Sequence, residues 1–416
     1  MTSGIVVGTV IGSGIFLLPV SLAPLGINAP IAWVISGLGA MCIAFALSRI
    51  VRPDGAGLQS YVEAELGPTA GFVVTFALWV SCWAAMASTA VAAAAALSWI
   101  VPRLNDPWSV AMVAISTTIA VTAVNVRGVR AAGGFAVVTV ALRILPLLAV
   151  IVVVLSMEAQ HQPLAHLSTT PITTDNLATA VTLTLFAIIG FETGTAPVGK
   201  VRNPTRTIPL ALMAGTGFCV LLYLLSSTAV SLILSPEATA RSLSPFADAL
   251  KSNWGENAAR LAAVGVAIAA VGGLNSNLLC GGELGYSMGL RGDLPAILGT
   301  ANRRNTPVLS LLLCTLLTVA LVLSNTSRST AQLFIFVSLL TTTATLVVYL
   351  VGGIAALRRR PSAAATAAIV AGILFALFAF YGAGVEASLW GLALLIAGLV
   401  IRWLCHRSRV GEPAPA

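Results

Sequence analysis

The sequence predicts an all-α polytopic membrane protein, and three observations carry that prediction. Of its 416 residues, 58% are hydrophobic and 9% charged, with a mean hydropathy of +0.97. A soluble domain carries roughly 25% charged residues and has nowhere to hide this much apolar surface. Apolar runs recur at about the 20 residues that a bilayer-crossing helix needs. The basic residues gather in alternate loops, as the positive-inside rule requires of a chain that crosses repeatedly. The net charge of +8 therefore reads as loop asymmetry, and no nucleic-acid partner is expected.

Twelve spans are predicted: 4–26, 30–51, 69–100, 108–125, 134–157, 177–199, 208–234, 258–289, 307–324, 331–357, 363–384 and 387–405. The long third and eighth spans imply tilt. The segment 54–66 carries Asp54, Glu63 and Glu65. It is too polar to cross and reads as a short interfacial helix. One set of loops, with the C-terminal tail, holds 16 Lys and Arg, the other set holds 5, and Arg143 is left inside a span. Both termini are accordingly expected on the cytoplasmic side of a cell (inner) membrane. No cleavable signal peptide is expected, because the first apolar run is broken by glycines and followed by further spans. The chain opens almost inside that run, so a short cytoplasmic lead is expected ahead of it. The six cysteines sit in apolar stretches without a CxxC pair and read as small buried hydrophobes.

The first and sixth spans share an interruption. The first contains Ile11-Gly12-Ser13-Gly14-Ile15 with Pro19, and the sixth contains Ile189-Gly190-Phe191-Glu192 with Gly194 and Pro197. In each, proline follows the first glycine by seven residues, and the offset is five spans. Five is odd, so the second copy is inverted in the membrane. Matched glycine- and proline-broken spans are the best sequence pointer to a transporter site between inverted repeats. The predicted repeats are 4–157 and 177–357, with 363–405 as two additional helices of one transmembrane domain. A break in hydrocarbon frees backbone groups that only protein, water or ligand can satisfy. The half-helix starting near Ser13, Gly14 and Ile15 offers N–H groups and a positive dipole end to a carboxylate. The half-helix ending near Phe186, Ala187 and Ile188 offers carbonyls to an ammonium. Together they describe an α-amino acid cradle.

The run from Val7 to Pro19, and Gly190-Phe191-Glu192 followed by Asn203-Pro204-Thr205-Arg206-Thr207-Ile208-Pro209, resemble signatures of the amino acid–polyamine–organocation (APC) superfamily. Further echoes are Trp79 with Cys82-Trp83, Ser244-Pro245-Phe246, and Gly292-Asp293-Leu294-Pro295 with Thr306-Pro307. Within the superfamily the chain is similar to the basic amino acid/polyamine antiporters, in particular their arginine/agmatine-exchanging branch. The resemblance implies a five-plus-five inverted-repeat core with discontinuous helices 1 and 6, and sodium-independent exchange of amino acids or their amines. A homodimer is compatible with it. It also implies side-chain contacts to substrate at four positions, three of which depart from the branch. Phe186 stands where the branch has Trp, Met86 where it has Asn, and Asn277 near a Trp. Thr341 keeps a hydroxyl near its Ser. The cradle therefore carries over well and the arginine-specific pocket poorly.

Charges at mid-bilayer each need a reason. Glu192 sits just past the second break, where an acid is able to bind and release a proton. The resemblance links this position to pH response and exchange. Arg143 lies about nine residues into span five, ~14 Å deep. It either snorkels to the surface or replaces the ion that sodium-coupled relatives hold between spans one, five and eight. Glu283 is a candidate partner for it. The expected substrate and coupling set is Ile11, Gly12, Ser13, Gly14, Ile15, Met86, Arg143, Phe186, Ala187, Ile189, Gly190, Glu192, Asn277 and Thr341. No metal or cofactor is expected: His161, His166 and His406 are scattered, and no Walker loop is present. A membrane enzyme would want paired His, Asp or Ser groups at one depth; for the alternative of a channel or non-transporting sensor, a channel would want a continuous polar pore, and here polarity is concentrated at two breaks. The rival within transport is a proton-coupled permease or exporter of neutral amino acids.

Overall fold

The structure, a computed structural model, describes residues 10–12, 14–51, 57–127, 132–192 and 204–410, without the side chains of 132–141, 204–206 and 408–410. Ser13 and the stretch 193–203 lie outside the described residues. The helices in chain order are α1 Gly14–Leu22, α2 Asn28–Ile50, α3 Leu58–Leu66, α4 Pro68–Ile100, α5 Pro107–Val126, α6 Ala132–Ala159 and α7 Thr174–Ile188. They continue as α8 Pro204–Ile233, α9 Pro236–Arg241, α10 Pro245–Arg291, α11 Val308–Leu323, α12 Thr330–Arg358, α13 Ala363–Gly382 and α14 Gly384–Val410. Among the described residues nine helices are long and apolar enough to cross a bilayer, and α1, α7 and α11 are shorter apolar helices. These twelve are the predicted spans, so the fold is an all-α polytopic membrane bundle. The short α3 falls within the segment 54–66, where a short helix was expected.

Two spans differ from the sequence reading for identifiable reasons. Span six was expected to run through 199, but α7 stops at Ile188, where the backbone opens. Span eight was expected from 258, ahead of which stand Asp248, Lys251, Asn253 and Glu256. That stretch is nevertheless helical. Pro245 occupies the first turn with Asp248, both favourable at a helix N-terminus. Gly255, at φ 81° and ψ 179°, then turns the chain into the crossing segment.

Helix α4 is the central post, packed against α10 and α12 along its length. Its alanine-rich half is buried from Ala90 to Ala96, and small side chains let helices approach closely. A second group holds α7. The Ser36 hydroxyl of α2 donates to Val181 O (3.0 Å) and pairs with Thr184 Oγ1 (2.7 Å). Thr182 Oγ1 of α7 donates to Ala379 O of α13 (2.6 Å). Helices α2, α7 and α13 are thus bolted together by buried hydroxyls.

Ion pairs sort the two ends of the bundle. At one end Arg291 meets Glu63, Arg359 meets Glu65 (2.8 Å) and Arg402 meets Asp293 (2.8 Å). At the other, Arg328 meets Glu386, and Lys251 and Arg260 share Glu256. No described ion pair joins the two sets, which are the two loop classes of the sequence reading.

Close packing makes a test. The Phe375 ring of α13 fills the space a side chain at Gly39 of α2 would need. Gly39→Leu should cost about 1–3 kcal/mol by overpacking, read as a lower unfolding temperature in detergent. Adding Phe375→Ala should recover part of the loss.

Candidate functional site

The backbone opens at the two predicted places. Ahead of α1, the chain bends through Ile11 and Gly12, and Gly12 N donates to Val10 O (2.6 Å). After α7, Ile189 N still bonds to Leu185 O (3.1 Å), but Ile189 is extended (φ −54°, ψ 140°) and Gly190 has φ 121°. That value lies in the region only glycine enters cheaply.

Side chains from neighbouring helices satisfy part of what the breaks expose. Arg143 Nη1 of α6 donates to Ile11 O (2.8 Å), and Tyr223 Oη of α8 donates to Val10 O (2.9 Å). At the second break, Glu192 Oε2 accepts from Gly190 N (3.1 Å) and from Tyr349 Oη of α12 (2.9 Å). The Tyr349 ring stacks on Phe191 at 5.3 Å. Donors therefore cover carbonyls at the first break, and a carboxyl covers an N–H at the second. The complementary groups, the N–H end of α1 and the carbonyl end of α7, are the ones the sequence assigned to a carboxylate and an ammonium.

Phe186 joins the two breaks. A Cβ on Gly14 would lie 2.6 Å from Phe186 Cε1, so the ring rests on the start of α1. Its other edge meets Phe334 of α12, T-shaped at 5.9 Å. Ile11, Ile15, Phe186, Ala187 and Glu192 are all buried, and Gly12, Ile189 and Gly190 are half-buried.

Arg143 corrects one sequence alternative. It does not snorkel: it is 4% exposed and turned toward the break of α1, beside Gly272 of α10. It thus lies among spans one, five and eight. The considered partner Glu283 is exposed and does not pair with it. The outer candidates are less engaged with the breaks. The Met86 sulfur accepts from Thr318 of α11 (3.8 Å), Asn277 donates to Gly273 O (3.1 Å), and Thr341 donates to Val337 O (2.7 Å). None of these bonds reaches a break among the described residues.

Three residues escaped sequence reasoning. Tyr223 and Tyr349 are buried hydroxyl-bearing aromatics in mid-span, a signal available once each break is asked what satisfies it. Phe334 carried no signal, since nothing in sequence distinguishes it from apolar filling.

Comparison with known proteins identifies the family. The amino acid permease family model matches residues 1–401. A cadaverine/lysine antiporter of Escherichia coli strain K12 is 29% identical over 333 residues, covering 79% of this chain and 74% of the relative. The putrescine transporter PotE of Haemophilus influenzae is 24% identical over 407 residues, covering 93% of this chain and 92% of the relative. The E. coli PotE is 23% identical over 407 residues, with 93% and 91% covered. A match that runs across the bundle and both of its broken spans assigns the chain: it belongs to the amino acid permease family of the APC superfamily.

Proposed function

We propose that the chain is a secondary antiporter, exchanging an amino acid for a related amino acid or its decarboxylated amine by alternating access. The observation that carries this is the pair of breaks brought together where the Phe186 ring rests over Gly14. The N–H end of α1 receives the α-carboxylate, with the Arg143 charge behind it. The carbonyl end of α7 receives the α-ammonium, with Glu192 beyond it. The repeats are 4–157 and 177–357, with 363–405 added. The membrane is the inner cell membrane, with both termini on the basic, cytoplasmic side. A cationic substrate is the leading reading. The cadaverine/lysine and putrescine relatives support it, and an arginine-like solute is one member of that class. The second reading is proton-coupled transport of neutral amino acids. It is favoured by Glu192 being already engaged by Gly190 and Tyr349, which suits a proton carrier better than a cation's partner.

Competition in proteoliposomes, preloaded or empty, separates them. Lysine, arginine, cadaverine, agmatine and putrescine should compete, and uptake should need preloaded solute. Competition by neutral aliphatic amino acids alone, without preloading, would sink the cationic antiport reading.

The cradle has its own test. Gly14→Leu drives the Phe186 ring off α1, and Gly190→Leu strains a φ that costs about 1–3 kcal/mol for other residues. Both should cut substrate affinity at least about tenfold, a loss of ~1.4 kcal/mol, while the protein still inserts. Unchanged affinity in either inserted variant removes the basis of the cradle.

Arg143 is a fixed charge in the place of an ion. Replacing sodium by choline should leave the transport rate unchanged, and a strict sodium requirement would overturn that role. Arg143→Gln should abolish exchange, because the Ile11 carbonyl loses a charged donor, a bond worth about 1.5–3 kcal/mol.

A further inference from the structure

A cavity of about 740 Å³ lies far from the breaks, at the arginine-rich end of the bundle. Its walls come from the end of α2, the start of α8 and the turn between α12 and α13. Arg49, Arg359 and Arg360 line it together with apolar Phe45, Leu210 and Met213. Of the three arginines, only Arg359 has an acid, Glu65 at 2.8 Å, and it also donates to Arg49 O (2.7 Å). Among the described residues Arg49 and Arg360 have no carboxylate within ion-pair distance. Among the described residues the charged lining of the cavity is therefore cationic, with Glu65 set against Arg359 alone.

Its apolar side shows what kind of anion fits. Leu210 is 69% exposed, and Phe218, Leu221 and Leu225 continue the same exposed stripe along α8. In a membrane that stripe faces acyl chains, so the cavity opens sideways into the lipid as well as outward to water. Arginines at helix ends above a lipid-facing apolar strip match a phosphodiester headgroup with its tails still in the leaflet. A free phosphate would use the cations and leave Phe45, Leu210 and Met213 without a role.

We propose that this cavity binds the headgroup of an anionic phospholipid from the adjoining leaflet, with Arg49 and Arg360 as its principal contacts. Occupancy would tie the end of α2 and the start of α8 to the α12–α13 turn.

The test titrates the full-length, detergent-purified protein with phosphatidylglycerol or phosphatidylcholine of identical tails, counting bound lipid by native mass spectrometry. Phosphatidylglycerol should bind about tenfold or more tightly, since each surface arginine contributes roughly fivefold toward an anionic headgroup. Arg49→Gln/Arg360→Gln should remove most of that preference. Arg303→Gln/Arg407→Gln, the same charge change outside the cavity, should keep it. Millimolar inorganic phosphate should not displace the lipid. Equal binding of the two lipids by the unmodified chain overturns the proposal without any variant. So does full phosphatidylglycerol binding in the cavity variant, and displacement by phosphate overturns the lipid assignment in favour of a free anion.

Discussion

The constraint on which the structure depends is that hydrocarbon cannot solvate an open backbone. Two spans are opened at mid-membrane, and each freed group costs several kcal/mol unless something meets it. Arg143 and Tyr223 meet carbonyls at the first break, and Glu192, steadied by Tyr349, meets an N–H at the second. The assignments are asymmetric. Donors meet carbonyls at the first break and a carboxyl meets an N–H at the second. Charged residues that would otherwise be costly inside a membrane become affordable because each compensates for a backbone defect.

Those helpers come from helices that the rest of the packing holds in place. Arg143 is delivered by α6, Tyr223 by α8 and Tyr349 by α12. Helix α12 is itself packed along the central post α4. The same helix supplies Phe334 against Phe186. A substitution on α12 well away from both breaks therefore reaches the cradle through ring packing at one place and a carboxyl hydrogen bond at another.

Much of this was legible in the sequence. The matched Ile-Gly pairs at Ile11-Gly12 and Ile189-Gly190 located the breaks, because glycine and proline spacing is written locally. The alternation of arginines sorted the loops into the two ends that the ion pairs now mark. Glu192 and Arg143 announced themselves by being charged in apolar runs. What was not legible depends on contacts between distant helices. The direction of Arg143 could not be read from its own span, since snorkelling and inward pointing use the same side chain. Tyr223 and Tyr349 lie 213 and 157 residues from their partners. The helical stretch from Pro245 was hidden by its own polar residues. The arginine cavity is assembled from three segments far apart in sequence, and nothing in any one of them announces the other two.

The hydroxyl bolts among α2, α7 and α13 have a mechanical consequence. Ser36, Thr182 and Thr184 bond to side-chain or backbone oxygens with no water between, so those three helices resist shearing past one another. Torsional compliance is then concentrated where the bolts end, at the extended Ile189 and the left-handed Gly190. A rotation of α7 relative to its surroundings is taken up first in the dihedrals that follow Ile188. The second break is therefore a joint as well as an opening in the backbone, and on the proposed function a solute held there would stiffen it.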